Sequence, residues 1–177
     1  VASTKSFSSQ VVVLALIALW FAQNKGHNID KWAEVLYDIP RAFQHHVFRM
    51  ERVADDLVSS IIDCKNMFLL GRSYSHALSL EGALKIKELT YQNCEGYAGG
   101  ALKHGPFALI DAEAQTPVFL HIWKGPRYET MRSAMDQVNC RGAYSIVLYN
   151  DNDLENLLPG RTFDRTFGVK IDCDNEF

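Results

Sequence analysis

The stretch MFLLGRSYSHALSLEGALKIKELTYQ, Met67–Gln92, decides the fold class. It begins with a short apolar run that ends at Gly71 and continues through polar small residues. From about Ala77 onward the apolar residues recur at helical spacing. A buried strand, a polar turn and a helix in that order form the first half of a βα unit.

The same alternation recurs further along the chain. Two apolar runs, Pro117–Trp123 and Tyr144–Tyr149, flank a helical pattern at about Arg127–Cys140, and a weak last strand is predicted at Phe167–Ile171. Strands that alternate with helices favour a parallel sheet. We therefore predict an α/β fold in which a parallel sheet of four visible strands carries helices on both faces.

The first third of the chain shows helical patterns only. From about Ser3 to Lys25 it is apolar nearly all round, which is typical of a helix covered by neighbours or by a partner subunit. Its longest apolar run, Val11–Ala22, has 12 residues, whereas a helix that crosses a bilayer needs about 20. We interpret it as a buried core helix and expect no membrane partner. A second helical pattern, about Ile29–Asp63, contains Pro40, which we expect to break or restart the helix.

Composition excludes several classes of function. The 177 residues are 47% hydrophobic and 22% charged, with a net charge of -3, so no field gathers nucleic acid or an anionic membrane. The four cysteines form no C-x-x-C pair and have no histidine at zinc-ligand spacing. We expect reduced thiols, a cytoplasmic location and no metal. The chain starts without methionine or a signal-peptide pattern, and we expect it to be an internal piece of a longer protein.

Three charged residues of the first βα unit share one helical stripe. Glu81, Lys85 and Glu88 lie one turn apart from each other. Such pairs commonly decorate exposed helices, at about 0.2–0.5 kcal/mol each, and that alternative stays open. Gly82 inside the helix indicates a close approach to the backbone, and open parallel sheets bind ligands at the carboxyl ends of their strands. A carboxylate and an ammonium beside that crevice could move a proton and hold a charged intermediate.

Two other segments are candidates. The glycine-rich loop GYAGGALKHGP, Gly96–Pro106, matches neither phosphate-binding glycine pattern, and a structural turn explains it equally well. It carries His104, whose imidazole can exchange a proton near neutral pH. The turn Arg72–Ser75 suits either a bound anion or an ordinary helix cap.

Taken together, Leu69–Asp111 resembles the second SIS (sugar isomerase) subdomain of the glutamine:fructose-6-phosphate amidotransferase family. The motifs that carry the resemblance are LEGALKIKE at Leu80–Glu88 and LKHGP at Leu102–Pro106. The opening residues VASTK resemble the end of that family's first SIS subdomain. The resemblance implies an SIS-type three-layer sandwich. Residues 1–65 would be a helical segment linking from the first SIS subdomain, and residues 66–177 a second SIS subdomain truncated at its C-terminus.

The resemblance also implies an activity. In that family the isomerase domain opens fructose 6-phosphate, receives ammonia from glutamine at C2 and transfers a proton from C1 to C2, which gives glucosamine 6-phosphate. By this resemblance Glu88 is the base, Lys85 stabilises the enolate-like intermediate, and His104 assists ring opening in the site of a neighbouring subunit, which implies a homodimer. Val1 and Ser3 match positions that contact the sugar. No cofactor or metal is implied.

Departures and alternatives accompany this hypothesis. Ala101 stands where the family usually has glutamate. The family's glutaminase domain, most of its first SIS subdomain and its C-terminal Schiff-base lysine have no counterpart in the sequence, so we expect the chain alone to be inactive. A stand-alone SIS phosphosugar isomerase or deglycase, a phosphosugar-binding sensor, and a structural fragment that dimerises through its first helix stay open.

Overall fold

The computed structural model describes residues 2–150 and 166–171. The chain separates into two compact units, Val1–Asp56 and Leu57–Phe177. The domain boundary placed between residues 65 and 66 from the sequence stays a prediction.

The first unit is helical, as the sequence predicts. Helix α1 spans Thr4–Asn24, and helix α2 spans Asp30–Ile61 and so continues beyond the unit. The expected break at Pro40 was wrong, because α2 runs through this residue. Proline removes one hydrogen-bond donor from a helix, and Pro40 is exposed, so water can bind the carbonyl that is left without its partner.

Helix α1 exposes its apolar side chains. No residue of α1 is buried within the described chain, and Leu14 and Trp20 are 65% and 58% exposed. The interpretation of α1 as a buried core helix is therefore not met by this chain alone. By length and composition only, this helix of 21 residues could also span a membrane. Core helices of soluble proteins and signal sequences pass the same test, and the absence of a membrane partner stays a prediction.

Among the described residues, the second unit is built on a five-stranded parallel sheet. Its elements are β1 (Asn66–Gly71), α3 (Tyr74–Thr90), β2 (Asn93–Ala98), β3 (Pro117–Ile122), α4 (Tyr128–Cys140), β4 (Tyr144–Tyr149) and β5 (Thr166–Lys170). The strand order is β2-β1-β3-β4-β5, and all four neighbouring pairs are parallel. The predicted α/β architecture is confirmed.

Strand β2 was not predicted, because its polar residues do not form an apolar run. It occupies the start of the segment interpreted as a glycine-rich loop, and it lies at one edge of the sheet. Gly96 belongs to this strand, and a Cβ there would lie 2.7 Å from the Ser79 carbonyl oxygen on α3. The glycine therefore permits close packing of helix and strand.

Two hydrophobic clusters cover the two faces of the sheet. On one face Ala83 of α3 packs with Met67, Leu69 and Cys94. On the other face Leu70 joins a larger cluster, whose members include Leu102, Val118, Leu120, Met131, Met135 and Val138. Successive strand residues point to opposite faces. The sheet thus lies between α3 on one side and α4, together with the segment around Leu102, on the other.

Candidate functional site

The charged stripe of α3 forms a connected cluster. The Lys85 Nζ atom lies 2.7 Å from Glu88 Oε2 and 3.5 Å from Glu81 Oε1. The Lys85 side chain is 17% exposed, that of Glu81 23% and that of Glu88 38%. One ammonium is thus bracketed by two carboxylates, as the helical spacing predicts.

The cluster favours the charged form of lysine. The hydrogen bond to Glu88 is the main cause that raises the pKa of Lys85 above its usual 10.5, and the negative charge of Glu81 adds to it. Desolvation acts in the opposite direction and is outweighed. At neutral pH Lys85 is therefore a stable cation that can compensate negative charge on a neighbouring group.

The stripe faces away from the sheet. Ala83 and Ile86 pack in the cluster that joins α3 to the strands, and a residue two positions further along a helix points about 200° away. Lys85 and Glu88 stand two positions after these packing residues. The candidate residues lie off the packed side of α3, where Glu88 is exposed and Lys85 is partly covered, so another surface must cover them before water is excluded.

The expected position at the carboxyl-end crevice of the sheet was wrong. Helix α3 begins at the carboxyl end of β1 and returns along the sheet to the start of β2. Lys85 and Glu88 lie in its second half and are carried toward the amino-terminal edge of the strands.

Gly82 has a packing role. A Cβ at this position would lie 2.7 Å from the Leu69 Cδ2 atom of β1. The close approach predicted from this glycine exists, but the partner is a core side chain of the sheet. Gly82 therefore no longer favours a ligand beside the stripe.

His104 lies on the other side of the sheet. It ends a short 3-10 turn, Ala101–His104, that follows β2, and its side chain is exposed. Leu102 of the same turn is 2% exposed in the cluster opposite to α3. His104 is beyond the end of β2, whereas Glu88 lies shortly before its start, and a strand of six residues spans about 20 Å. The structure does not bring His104 together with Lys85 and Glu88 within one chain.

The turn after β1 holds its residues tightly. The Arg72 amide donates to Ser75 Oγ at 3.0 Å, and Ser75 Oγ donates to the Arg72 carbonyl at 2.8 Å. Ser73 occupies the N-cap position with φ 60° and makes no side-chain cap hydrogen bond. The N-cap interpretation is therefore wrong for Ser73.

The two predicted sugar contacts lie at the start of the chain. Ser3 precedes α1, and its carbonyl accepts the Phe7 amide at 3.1 Å without a side-chain cap. Val1 lies outside the described residues. Both assignments stay predictions.

Sequence reasoning missed His121. This residue stands near the carboxyl end of β3, and its Nδ1 atom lies 3.3 Å from both the Ser75 carbonyl oxygen and Ser79 Oγ. Ser79 Oγ itself donates to the Ser75 carbonyl at 2.9 Å, so Nδ1 carries the hydrogen that both oxygens accept. Burial lowers the pKa of His121 below its usual 6.5, although the hydrogen bond to Ser75 opposes this. The sequence feature that could have indicated this buried histidine is its position inside an otherwise apolar strand.

Other candidate chemistry is weak. Among residues 2–150 and 166–171, no three His, Cys, Asp or Glu side chains are grouped to hold a metal. Burial raises the pKa of the Cys94 thiol to about 12, and Cys64 and Cys140 are free thiols. A cavity of about 650 Å³ at the amino-terminal edge of the sheet is lined by residues that include Asp63 and Asp111, but not by Lys85, Glu88 or His104.

Comparison with known proteins defines the class. The SIS domain family matches residues 60–155, which is more than half of the chain. This region contains the α3 stripe and strands β1 to β4 of the parallel sheet. The chain therefore belongs to the SIS domain family.

Individual relatives are more specific. The chain is 38% identical over 159 residues to glutamine--fructose-6-phosphate aminotransferase [isomerizing] of Methanosarcina mazei, which covers 88% of this chain and 25% of the relative. It is 36% identical over 158 residues to glutamine--fructose-6-phosphate aminotransferase [isomerizing] 2 of Homo sapiens, which covers 88% of this chain and 23% of the relative. The chain thus spans about a quarter of the length of these relatives, and the resemblance noted in the sequence is confirmed.

A solved structure agrees. The C-terminal domain of glucosamine-fructose-6-phosphate aminotransferase from Francisella tularensis superposes with a TM-score of 0.83 and 29% identity, covering 96% of this chain and 47% of that one. The fold of nearly the whole chain is therefore that of this SIS relative.

Proposed function

We propose that this chain is part of the isomerase domain of a glutamine:fructose-6-phosphate aminotransferase. The domain would convert fructose 6-phosphate and ammonia, derived from glutamine, to glucosamine 6-phosphate. The observation that carries the proposal is the contact of 2.7 Å between Lys85 Nζ and Glu88 Oε2 inside the motif LEGALKIKE. The named relatives and the shared fold support it.

The pair suits a proton transfer between neighbouring carbons. When ammonia has formed an imine at C2, removal of a proton from C1 places negative charge on the substrate. Glu88 would take this proton and deliver it to C2, and the Lys85 ammonium would stabilise the intermediate by its charge. The raised pKa of Lys85 supports a role as a permanent cation. No metal is required for this division of roles.

The exposure of the stripe supports a site shared with other surfaces. Lys85 and Glu88 lie on the outward side of α3, where water would weaken their electrostatic effect. The glutaminase domain and the first SIS subdomain of a longer chain would provide further parts of the enzyme. Val1 and Ser3, at the other end of the chain, would contact the sugar.

His104 supports a homodimer. Within one chain it lies across the sheet from Glu88 and cannot share a substrate with it. A second copy would have to supply the imidazole that assists ring opening, and most soluble oligomers are symmetric homo-oligomers. The enzyme would act in the cytoplasm on its phosphosugar substrate, without a cofactor.

The proposal is tested by Glu88→Gln in the longer enzyme that contains this chain. Glutamine keeps the size of the side chain but cannot accept the proton, so we expect glucosamine 6-phosphate formation to fall by about 10²–10⁴-fold. Calorimetry should show that glucosamine 6-phosphate still binds. Glu129→Gln, on the first turn of α4, is the matched control. Unchanged turnover in Glu88→Gln would exclude the proposed base.

A further inference from the structure

The segment that carries His104 is attached at its beginning to the turn after β1. We call residues 99–105 the His104 loop. Gly99 donates its amide to the Gly71 carbonyl at 2.7 Å, and its own carbonyl accepts Arg72 Nη1 at 2.9 Å. Both polar backbone groups of Gly99 are thus held by two consecutive residues, Gly71 at the end of β1 and Arg72 at the start of the turn.

The backbone of Arg72 is held in a fixed position. Its amide and its carbonyl both bond to the hydroxyl of Ser75, which is 1% exposed. A Cβ on Gly71 would lie 2.2 Å from the Ser75 carbonyl oxygen, so this turn closes only around a glycine. The guanidinium therefore starts from a rigid turn and reaches across to the loop.

The loop after Gly99 is anchored in its middle by Leu102. Gly100 has φ 95° and Gly105 has φ 142°, so both ends of the 3-10 turn use backbone conformations that favour glycine. Between them Leu102 is buried in the core, whereas Lys103 and His104 are exposed. A Cβ on Gly99 would lie 2.3 Å from Met131 Sδ, which leaves the start of the loop no room to shift toward α4.

We propose that Arg72 is a positioning residue, whose hydrogen bond to the Gly99 carbonyl sets the direction in which the loop presents His104. This inference rests on the proposed function of His104. Leu102 holds the middle of the loop, and Arg72 fixes the peptide from which the loop turns. With the guanidinium removed, the Gly99 amide stays bonded to Gly71 but the Gly99 carbonyl is released, and the glycine at position 100 becomes a pivot.

The experiment uses the 177-residue chain, labelled with ¹⁵N. In Arg72→Gln we expect amide exchange of residues 101–104 to become at least about tenfold faster, since their local opening no longer breaks the Arg72 bond. Their ¹H-¹⁵N heteronuclear NOE should fall, while β3 and β4 amides and the thermal midpoint stay near the wild-type values. Arg72→Lys keeps a cationic donor and should restore part of the order. Arg132→Gln on α4 is the control, because the Arg132 side chain makes no hydrogen bond or ion pair among the described residues.

Equal loop order in wild type and Arg72→Gln, or equal loosening in Arg132→Gln, would overturn the inference. If Arg72→Gln does not fold, the comparison of wild type with Arg72→Lys decides, since an unchanged loop in the lysine variant contradicts a need for the guanidinium. These readouts contain no turnover. The positioning role of Arg72 can therefore be excluded while Glu88 still proves to be the base, or supported while the proposed reaction is excluded.

Discussion

At the scale of single residues, the α3 stripe separates two tasks that one side chain cannot perform together. A base must accept a proton, whereas a group that stabilises an anion must keep its positive charge. The contact with Glu88 raises the pKa of Lys85, so that the ammonium persists through the physiological range. This stabilising contact is present below the ordinary lysine pKa of 10.5 and is lost only as pH rises through the higher folded-state value.

His121 gives a prediction with the opposite dependence on pH. Burial lowers its pKa in the folded state below the unfolded value of 6.5, so the unfolded chain binds more protons as the solution is acidified. We expect the second unit to be fully stabilised above pH 6.5 and to lose stability as pH falls below it. His121→Asn keeps a donor toward Ser75 but does not titrate. It should cost about 1–2 kcal/mol at pH 8, and less at pH 5.

Guanidinium unfolding at the two pH values, followed by NMR signals of β3 and β4, measures this difference. His27→Asn, at an exposed position between α1 and α2, is the control and should leave the stability of the second unit unchanged at both values. A cost for His121→Asn that is the same at pH 5 and pH 8 would contradict the prediction.

At the scale of elements, the C-terminus of α3 ends on a residue that its conformation does not favour. Tyr91 has φ 60° and ψ 10°, and its side chain is 93% exposed. Glycine adopts this left-handed conformation without the clash of a Cβ and is the preferred residue there. We expect Tyr91→Gly to stabilise the second unit by about 0.5–1 kcal/mol. Thermal unfolding followed by circular dichroism measures the gain.

The matched control is the same substitution at Tyr37. This side chain is also exposed, at 89%, but it lies inside α2. Glycine in a helix interior is unfavourable, and a loss of about 0.5 kcal/mol is expected. Destabilisation by both substitutions would show that Tyr91 makes contacts that outweigh its strained backbone.

The sequence predicted the elements whose pattern is local. The apolar runs of β1, β3 and β4 and the helical spacing of α3 and α4 follow from side chains that are buried on one or both sides. Strand β2 was not predicted, because Asn93 and Glu95 at the sheet edge do not need to be apolar. The helix break predicted at Pro40 was wrong, because the cost of proline in a helix depends on whether water reaches the carbonyl that it leaves unpaired.

The candidate site shows the same division. The spacing of Glu81, Lys85 and Glu88 on one stripe is a property of any helix, and the structure has it. The place of that stripe along the sheet depends on the direction in which α3 returns from β1 to β2, and the expectation that it lies at the carboxyl ends of the strands was wrong. The contact of Gly82 with Leu69 joins residues of two elements and also could not be assigned without the fold.

At the scale of the whole molecule, the sheet separates the parts of the proposed site. The cluster around Ala83 lies under α3, and the cluster around Leu102 lies under the His104 loop, with five strands between them. No rotation of a side chain carries an imidazole across a packed sheet. If Glu88 and His104 serve one substrate, they come from two copies of the chain.

Mixing two inactive variants of the longer enzyme tests this arrangement. In a dimer of a Glu88→Gln copy and a His104→Asn copy, one site has both lesions and the other has neither. Random pairing makes half of the dimers mixed, so activity should return to roughly a quarter of wild type after refolding together. Glu88→Gln mixed with Lys85→Gln is the control, because every site then lacks one member of the stripe and no activity should return. Absence of recovery in the first mixture, with mixed dimers verified by mass spectrometry, would mean that each copy uses its own His104 or none.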